Sequence, residues 1–197
     1  MNVMDPEQWS NRYDSGCTGW DLGRSPAELR TWAAALPPRR RILIPGCGRG
    51  YELADLVALG HEVTAIDYAE GAIAAARRSI GELAASIRCA DFFACDLPSG
   101  RFDLCYERTF LCSLPRPGRE EYGRRVASLL KPGGRLVGVF LYGQPEDDDP
   151  PVPLAASDRE RILEAHFSLE EDRAHASGLP VFDEYAERWQ VWRKRGS

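Results

Sequence analysis

The sequence lacks the short-spaced cysteine pairs that metal sites use. None of its six cysteines forms a Cys-x-x-Cys motif, and its three histidines are equally scattered. Because zinc sites need paired ligands at short spacing, we predict no metal site. The sequence shows no export signal, so a disulfide framework is not expected. We predict that the cysteines are small, buried, reduced thiols.

Long apolar runs and an excess of positive charge are also missing. No stretch approaches the ~20 apolar residues that span a membrane, and residues 1–9 lack the pattern of a secretory signal. Thirty acidic side chains against 25 basic ones give a net charge of -5, which disfavours nucleic-acid binding. We therefore expect a cytoplasmic protein, a monomer or weak homo-oligomer, that acts on a small molecule without membrane or nucleic-acid partners.

Strand-like and helix-like patterns alternate through the centre of the chain. Strands are predicted at 41–45, 61–66, 86–89, 102–106 and 135–141, and helices at 51–59, 69–80 and 116–130. This alternation implies crossover connections, and therefore an α/β, doubly wound, mostly parallel sheet with helices on both faces.

Further elements flank this core. Short helices are predicted at 6–14 and 26–35 before it, and a helix near 157–165, capped by Ser157, after it. A final strand pair is predicted at 167–171 and 186–193. We expect a single domain, 1–197, with N-terminal lid helices (1–38) and a seven-stranded core (39–197) whose last strand is antiparallel.

The most informative segment is a glycine loop, IPGCGRGYE at 44–52, between a predicted strand and a predicted helix. Glycines at 46, 48 and 50 allow a tight turn and leave space for a ligand against the backbone. Asp67 ends the next predicted strand, where a carboxylate can accept both hydroxyls of a ribose. The combination predicts a nucleoside site, although the glycines alone could serve packing.

The glycine spacing bears on which nucleoside binds. Dinucleotide sites use G-x-G-x-x-G, whereas this loop reads G-x-G-x-G and has no later glycine in register. The spacing favours S-adenosylmethionine, which has no pyrophosphate. Asp91 and Phe92, after the third strand, could flank an adenine, or Phe92 could pack in the core. A nicotinamide-dependent oxidoreductase and a non-catalytic nucleoside-binding module remain alternatives.

At these residues the chain resembles the thiopurine S-methyltransferase superfamily, and within it the plant and bacterial halide/thiol methyltransferase branch. The matching stretches are WDLGR at 20–24, LIPGCGRGYE at 43–52, AIDYAEGAI at 65–73, DFF at 91–93, FDLCYERTFLCSL at 102–114, LLKPGGRL at 129–136 and ERW at 187–189. The resemblance implies a Rossmann-like methyltransferase fold, S-adenosylmethionine as cofactor, and methyl transfer to a small soft nucleophile. A thiol is the expected acceptor, with a halide or metalloid oxyanion as alternatives.

The resemblance also implies a set of cofactor-binding residues. Aromatic side chains near the N-terminus would close over the sulfonium, whose charge attracts aromatic faces. The implied residues are Trp9, Tyr13 and Trp20 in this lid, Gly46, Cys47, Gly48 and Gly50 in the loop, Asp67 and Tyr68 at the ribose, Asp91 and Phe92 at the adenine, and Arg108 beside the cofactor.

Arg108 and Glu107 are the predicted catalytic residues. A thiol with a pKa of about 8.5 is only partly ionised at neutral pH, so a nearby cation such as Arg108 would favour the thiolate. Glu107 could accept a proton, hold Arg108 in place, or be structural. The clearest departure from the family is Asp147–Asp149 with Val152, where relatives carry two glycines and an aromatic residue. These aspartates could form a solvated loop, or could repel small anions from the acceptor pocket.

Overall fold

The computed structural model describes residues 5–145, 147 and 149–196. The chain divides into two compact units, one that ends at Asp96 and one that begins at Leu97. The single domain with a lid up to residue 38 stays a prediction. In the described part of the chain, no helix combines the length and the apolar character that crossing a membrane requires.

The first unit contains three parallel strands in the order β3-β2-β1. Its elements are α1 (Pro6–Asp14), α2 (Ala27–Ala34), β1 (Arg41–Pro45), α3 (Tyr51–Ala58), β2 (Glu62–Asp67), α4 (Glu70–Ile80) and β3 (Arg88–Cys89). Pro45 pairs with Ile66, and Asp67 pairs with Cys89. The carboxyl ends of the three strands therefore meet at one edge, where the glycine loop and the turns after β2 and β3 also begin.

Helix α1 is fixed at its start and along its length. Asp5 and Gln8 form a reciprocal capping box: the Gln8 N–H donates to Asp5 Oδ1 (2.8 Å), and the Asp5 N–H donates to Gln8 Oε1 (2.9 Å). The Gly71 N–H on α4 donates to Ser10 Oγ on α1 (3.1 Å). A Cβ at Gly71 would lie 2.7 Å from Ser10 Cα, so only glycine permits this approach of the two helices.

The second unit contains four strands in the order β4-β5-β7-β6. Its elements are β4 (Phe102–Arg108), α5 (Arg119–Leu129), β5 (Leu130–Tyr142), α6 (Ala156–Arg159), β6 (Phe167–His175) and β7 (Ala186–Lys194). β4 and β5 are parallel, and β7 is antiparallel to both β5 and β6. Trp189 and Trp192 of β7 are completely buried at the centre of this unit.

Some predicted boundaries are wrong. β3 starts at Arg88 because residues 81–86 wind into a 3₁₀ turn. β5 starts at Leu130, which pairs with Phe102 ahead of a register shift, so the predicted start at residue 135 is late. α6 begins after Ala155 and continues into the π-helical turn Glu160–Glu164, so Ser157 is not its cap.

The six cysteines are free thiols. Cys47, Cys105 and Cys112 are buried as predicted, whereas Cys17 and Cys89 are exposed. The prediction of buried thiols is therefore wrong for these two. Cys89 belongs to a two-residue strand that is exposed at both positions, which the short apolar pattern did not reveal.

Candidate active site

The glycine loop joins β1 to α3 through three left-handed turns of the backbone. Gly46, Gly48 and Gly50 have φ angles of 59°, 51° and 76°, a region that side chains other than glycine rarely adopt. A Cβ at Gly48 would lie 2.7 Å from the Tyr13 hydroxyl, and one at Gly50 would lie 2.7 Å from the Ile80 side chain. The left-handed backbone therefore favours glycine at all three positions, and a side chain at Gly48 or Gly50 would also displace the end of the Tyr13 or Ile80 side chain.

Asp67 fixes the glycine loop to the end of β2. Its Oδ2 accepts a hydrogen bond from the Gly48 N–H (2.9 Å), and its Oδ1 accepts one from the Ala69 N–H (3.0 Å). Burial raises the pKa of Asp67, and these backbone N–H groups oppose that rise. Each carboxylate oxygen can accept a further hydrogen bond, so Asp67 retains capacity for a ligand.

Three aromatic side chains of the predicted lid form one cluster. The Trp9 and Trp20 rings meet edge to face with centroids 5.5 Å apart, and the Tyr13 and Trp20 centroids are 5.9 Å apart. The Arg12 guanidinium lies 5.4 Å from the Trp9 centroid and 5.9 Å from that of Trp20. Arg49, from the glycine loop, lies 5.9 Å from the Tyr13 centroid. The aromatic rings of this cluster therefore already attract two cations, the guanidinium groups of Arg12 and Arg49.

Burial favours the neutral form of three titratable groups beside this cluster, Tyr13, Cys47 and Tyr68. Burial, reinforced by the charge of Asp67, raises the pKa of Tyr13 far above its usual range. Burial, with the charges of Asp67 and Glu52, also raises the pKa of Cys47 well above its ordinary value, which favours the thiol over the thiolate. Tyr68 is half-buried, and burial raises its pKa to about 12, with a hydrogen bond from Trp9 acting in the opposite direction.

Asp91 and Phe92 follow β3 at the same edge but differ in exposure. The Asp91 side chain is exposed, and its Oδ1 accepts a hydrogen bond from the Phe93 N–H (2.8 Å). Phe92 is only 3% exposed and meets Phe93 with centroids 5.2 Å apart. Asp91 is therefore accessible to a ligand, whereas the position of Phe92 agrees with the core-packing alternative.

The second unit has a pocket at the carboxyl ends of β4 and β5. It encloses about 380 Å³, part of it open to solvent. Its polar lining residues are Glu107, Arg108, Thr109 and Glu187, and its apolar lining residues are Leu111, Cys112, Val139, Phe140, Leu141, Leu154 and Phe182. The two predicted catalytic residues therefore lie together in one mainly apolar pocket.

Glu107 is a buried carboxyl group with both oxygens engaged. Oε1 accepts hydrogen bonds from the Phe110 N–H (3.0 Å) and the Leu111 N–H (2.8 Å), and Oε2 accepts one from the Tyr122 hydroxyl (2.8 Å). Burial raises the pKa of Glu107 to about 7, with these hydrogen bonds and the charge of Arg119 opposing the rise. Glu107 thereby fixes the turn that follows β4.

Arg119 holds in place the backbone that precedes the pocket residue Leu154. Its side chain is completely buried and donates to three carbonyl oxygens: from Nε to Leu114 (3.0 Å), from Nη1 to Pro153 (3.1 Å) and from Nη2 to Val152 (2.6 Å). The Val152 N–H donates to the Cys112 carbonyl (2.8 Å). The segment after the proline-rich loop is therefore bound to the turn that carries the pocket residues.

Two polar residues of the pocket lining, Thr109 and Glu187, were not among the predicted site residues. Thr109 has a φ of 62°, which is unusual for a β-branched residue and typical of functional sites. Glu187 accepts hydrogen bonds from the N–H (2.8 Å) and hydroxyl (2.6 Å) of Ser177. Glu187 lies in the ERW stretch, so its position in a family motif was the only signal for it.

The aspartates of the proline-rich loop lie only partly within the described residues. Asp147 and Asp149 are exposed, and the Asp149 N–H donates to Asp147 Oδ1 (2.9 Å). Asp148 lies outside the described residues. Val152, where relatives carry an aromatic residue, is only 1% exposed.

A family model described as Thiopurine S-methyltransferase (TPMT) matches residues 4–195. The chain belongs to this family. The protein is therefore a methyltransferase that uses S-adenosylmethionine, as predicted. Membership in this family decides against the nicotinamide-dependent oxidoreductase and the non-catalytic module.

Curated relatives extend over most of the methyltransferase. A thiopurine S-methyltransferase of Aliivibrio fischeri (strain MJ11) is 31% identical over 218 residues, which cover 96% of this chain and 98% of the relative. A probable thiol methyltransferase 2 of Arabidopsis thaliana is 29% identical over 160 residues, covering 79% of this chain and 70% of the relative.

A solved structure shows the same fold. The 1,6-didemethyltoxoflavin-N1-methyltransferase of Burkholderia thailandensis, with bound 1,6-didemethyltoxoflavin and S-adenosylhomocysteine, superposes with a TM-score of 0.72. It is 21% identical, and the match covers 97% of this chain and 87% of that one. The predicted Rossmann-like class, with a mostly parallel seven-stranded sheet and an antiparallel last strand, is confirmed.

The residues of the first unit fit S-adenosylmethionine. The glycine loop has a left-handed backbone at Gly48 and Gly50. Asp67 can accept further hydrogen bonds at the end of β2, and the aromatic cluster contacts the loop through Tyr13. These features suit a ribose and a sulfonium, which are the polar centres of the cofactor.

Proposed function

We propose that the methyltransferase transfers the methyl group of S-adenosylmethionine to the sulfur of a small thiol. The observation that carries the proposal is the pocket of the second unit, which Arg108 lines together with mainly apolar residues. A guanidinium favours the thiolate form of an acceptor, and apolar walls keep water from the polarisable sulfur. The names of the Arabidopsis and Aliivibrio relatives also specify sulfur acceptors.

The cofactor is proposed to bind the residues of the first unit. Asp67 accepts hydrogen bonds from the ribose hydroxyls, and the aromatic cluster faces the sulfonium through cation–π attraction of about 0.5–2 kcal/mol per contact. Asp91 contributes at the adenine, where its exposed carboxylate can accept a hydrogen bond. The proposed set is Trp9, Tyr13, Trp20, Gly46, Cys47, Gly48, Gly50, Asp67, Tyr68 and Asp91, without Phe92, which packs in the core.

The reaction needs little acid–base catalysis. The cofactor supplies an activated methyl group, and the acceptor thiol releases its proton to the buffer. A lone pair of the acceptor sulfur forms the new carbon–sulfur bond while the old one breaks, and its electron pair stays on the departing sulfur. Arg108 stabilises the thiolate before transfer. Glu107, whose oxygens accept three hydrogen bonds, acts as a positioning residue rather than as a base.

Acceptor screening tests the proposal directly. The protein is incubated with S-adenosylmethionine labelled in its methyl group and with separate panels of small thiols, halides and metalloid oxyanions. Labelled thioethers are the expected products. Label transferred only to halides or oxyanions would replace the thiol as acceptor, and tight cofactor binding without any product would contradict all three acceptor classes.

A further inference from the structure

Glu187 places a second charge of opposite sign in the pocket that contains Arg108. It lies near the start of β7, where it pairs with Leu141 of β5 and with His175 of β6. It is half-buried and lines the same pocket as Arg108. The proposed reaction uses Arg108 but gives Glu187 no role.

The Glu187 carboxylate is held through one oxygen only. Its Oε1 accepts hydrogen bonds from both the N–H and the hydroxyl of Ser177, at 2.8 and 2.6 Å. Within the described residues, Glu187 Oε2 has no hydrogen-bond partner. The side chain is thus fixed in place while half of its accepting capacity remains available to a ligand.

The two glutamates of the pocket differ in this respect. Both oxygens of Glu107 accept hydrogen bonds from Phe110, Leu111 and Tyr122, and the group is buried. Glu187 is therefore the acidic side chain of the described pocket lining that can meet an acceptor. Together with Arg108, it offers an acceptor one cation and one anion.

We propose, resting on the thiol methylation proposed above, that Glu187 makes the pocket selective for aminothiols. An aminothiol that loses its thiol proton is a zwitterion: its thiolate is stabilised by the guanidinium of Arg108, and its ammonium by the carboxylate of Glu187. An acceptor with a second negative charge, or a simple anion, is repelled by Glu187. Glu187 is thus a specificity-determining residue.

A matched series of acceptors tests this selectivity. Cysteamine, 2-mercaptoethanol and 3-mercaptopropionate share the group HS–CH₂–CH₂– and end in an ammonium, a hydroxyl and a carboxylate, respectively. For the wild-type protein, kcat/KM per thiolate is expected to fall in that order, measured by release of S-adenosylhomocysteine. A wild type that prefers 3-mercaptopropionate would overturn the inference without any variant.

The variant Glu187→Gln removes the charge and keeps the shape. Its amide oxygen can still accept both hydrogen bonds from Ser177. The ratio of kcat/KM for cysteamine to that for 3-mercaptopropionate is expected to fall about tenfold, equivalent to about 1.4 kcal/mol. Because the ratio is compared between proteins at one pH, differences in thiol pKa cancel.

Glu184→Gln is the matched control, because Glu184 is exposed and does not line the pocket. It should preserve the wild-type ratio. An unchanged ratio in Glu187→Gln, with ready turnover of the thiols, overturns the selectivity and leaves the proposed function standing. No S-adenosylhomocysteine from any thiol overturns the proposed function, and the selectivity with it.

Discussion

Gly48 shows how little room the cofactor loop leaves for a side chain. Gly48→Ala meets both a left-handed backbone and the Tyr13 hydroxyl 2.7 Å from the new Cβ. We expect a stability loss of about 1–2 kcal/mol from the backbone and, in addition, at least about tenfold weaker binding of S-adenosylhomocysteine. Urea unfolding and calorimetry measure the two effects.

Gly60→Ala separates the effect of the left-handed backbone from the effect of the contact with Tyr13. Gly60 also has a positive φ, 82°, but no atom lies within 4 Å of its added Cβ. This variant should lose stability to a similar degree and keep its cofactor affinity. Equal affinities in both variants would mean that the contact with Tyr13 does not shape the loop for the cofactor.

Arg108 is the residue on which the proposed thiolate stabilisation depends. Arg108→Ala is expected to lower kcat/KM for thiols about a hundredfold, in the range found when one preorganised electrostatic donor is removed. Arg101→Ala, at an exposed position before β4, is the control and should retain activity. The measurement is kcat/KM for thiols in steady-state assays of the wild type and both variants. A value for Arg108→Ala equal to that of the wild type would exclude Arg108 from catalysis.

The sequence predicted some of these residues and not others for physical reasons. Gly48 and Asp67 stand at strand ends, so a local pattern of turn and carboxylate sufficed to predict them. Glu187 lies in the ERW stretch, but its contact with Ser177 forms only because the chain turns back between β6 and β7, which no local pattern reveals. The left-handed Thr109 is not predictable from a residue type that avoids this conformation.

At the scale of elements, the contact between α1 and α4 carries the aromatic lid residues. Gly71→Ala adds a Cβ 2.7 Å from Ser10 Cα. Glycine to alanine inside a helix ordinarily stabilises by about 0.5–1 kcal/mol, but here we expect overpacking to cost about 1–3 kcal/mol. Urea unfolding measures the difference from wild type.

Gly118→Ala serves as the comparison for this change. Gly118 has a negative φ of -85°, and no atom lies within 4 Å of its added Cβ. The free energy of unfolding of the Gly118→Ala variant should stay close to that of the wild type. A stabilised Gly71→Ala would show that α1 can move away from α4 without loss.

Helix boundaries were more predictable than the start of β5. Pro6–Asp14 was predicted with the bounds that the structure has, because proline and an acidic cap mark a helix start locally. The start of β5 at Leu130 depends on pairing with Phe102 across the sheet, and a glycine pair inside the strand suggested a turn. Local signals sufficed for the ends of α1, whereas pairing with Phe102 determines where β5 starts.

At the scale of the whole molecule, Glu107 couples folding to pH. Its pKa rises from an ordinary 4.5 to about 7 because burial disfavours the charged form. The folded state therefore binds this proton more tightly than the unfolded chain. The resulting stabilisation is complete below about pH 4.5 and is lost as the pH rises through about 7.

Glu107→Gln should remove this dependence. The amide can accept from the Phe110 and Leu111 N–H groups and donate to the Tyr122 oxygen, so the turn after β4 is preserved. Urea midpoints measured from pH 4.5 to 7.5 should fall less steeply in the variant than in wild type, while the exposed Glu184→Gln keeps the wild-type slope. Parallel slopes in all three proteins would contradict a raised Glu107 pKa.

Arg119 has a consequence for how freely the proline-rich loop at 144–153 can be changed in sequence. Its guanidinium donates hydrogen bonds to the carbonyl oxygens of Val152 and Pro153, which follow the aspartates of the proline-rich loop. The anchoring atoms belong to the backbone, so they survive any exchange of side chains upstream. We therefore expect loops of other lengths and compositions ahead of Pro150 to leave the backbone at Val152 and Pro153, and with it the neighbouring Leu154 of the pocket lining, in place.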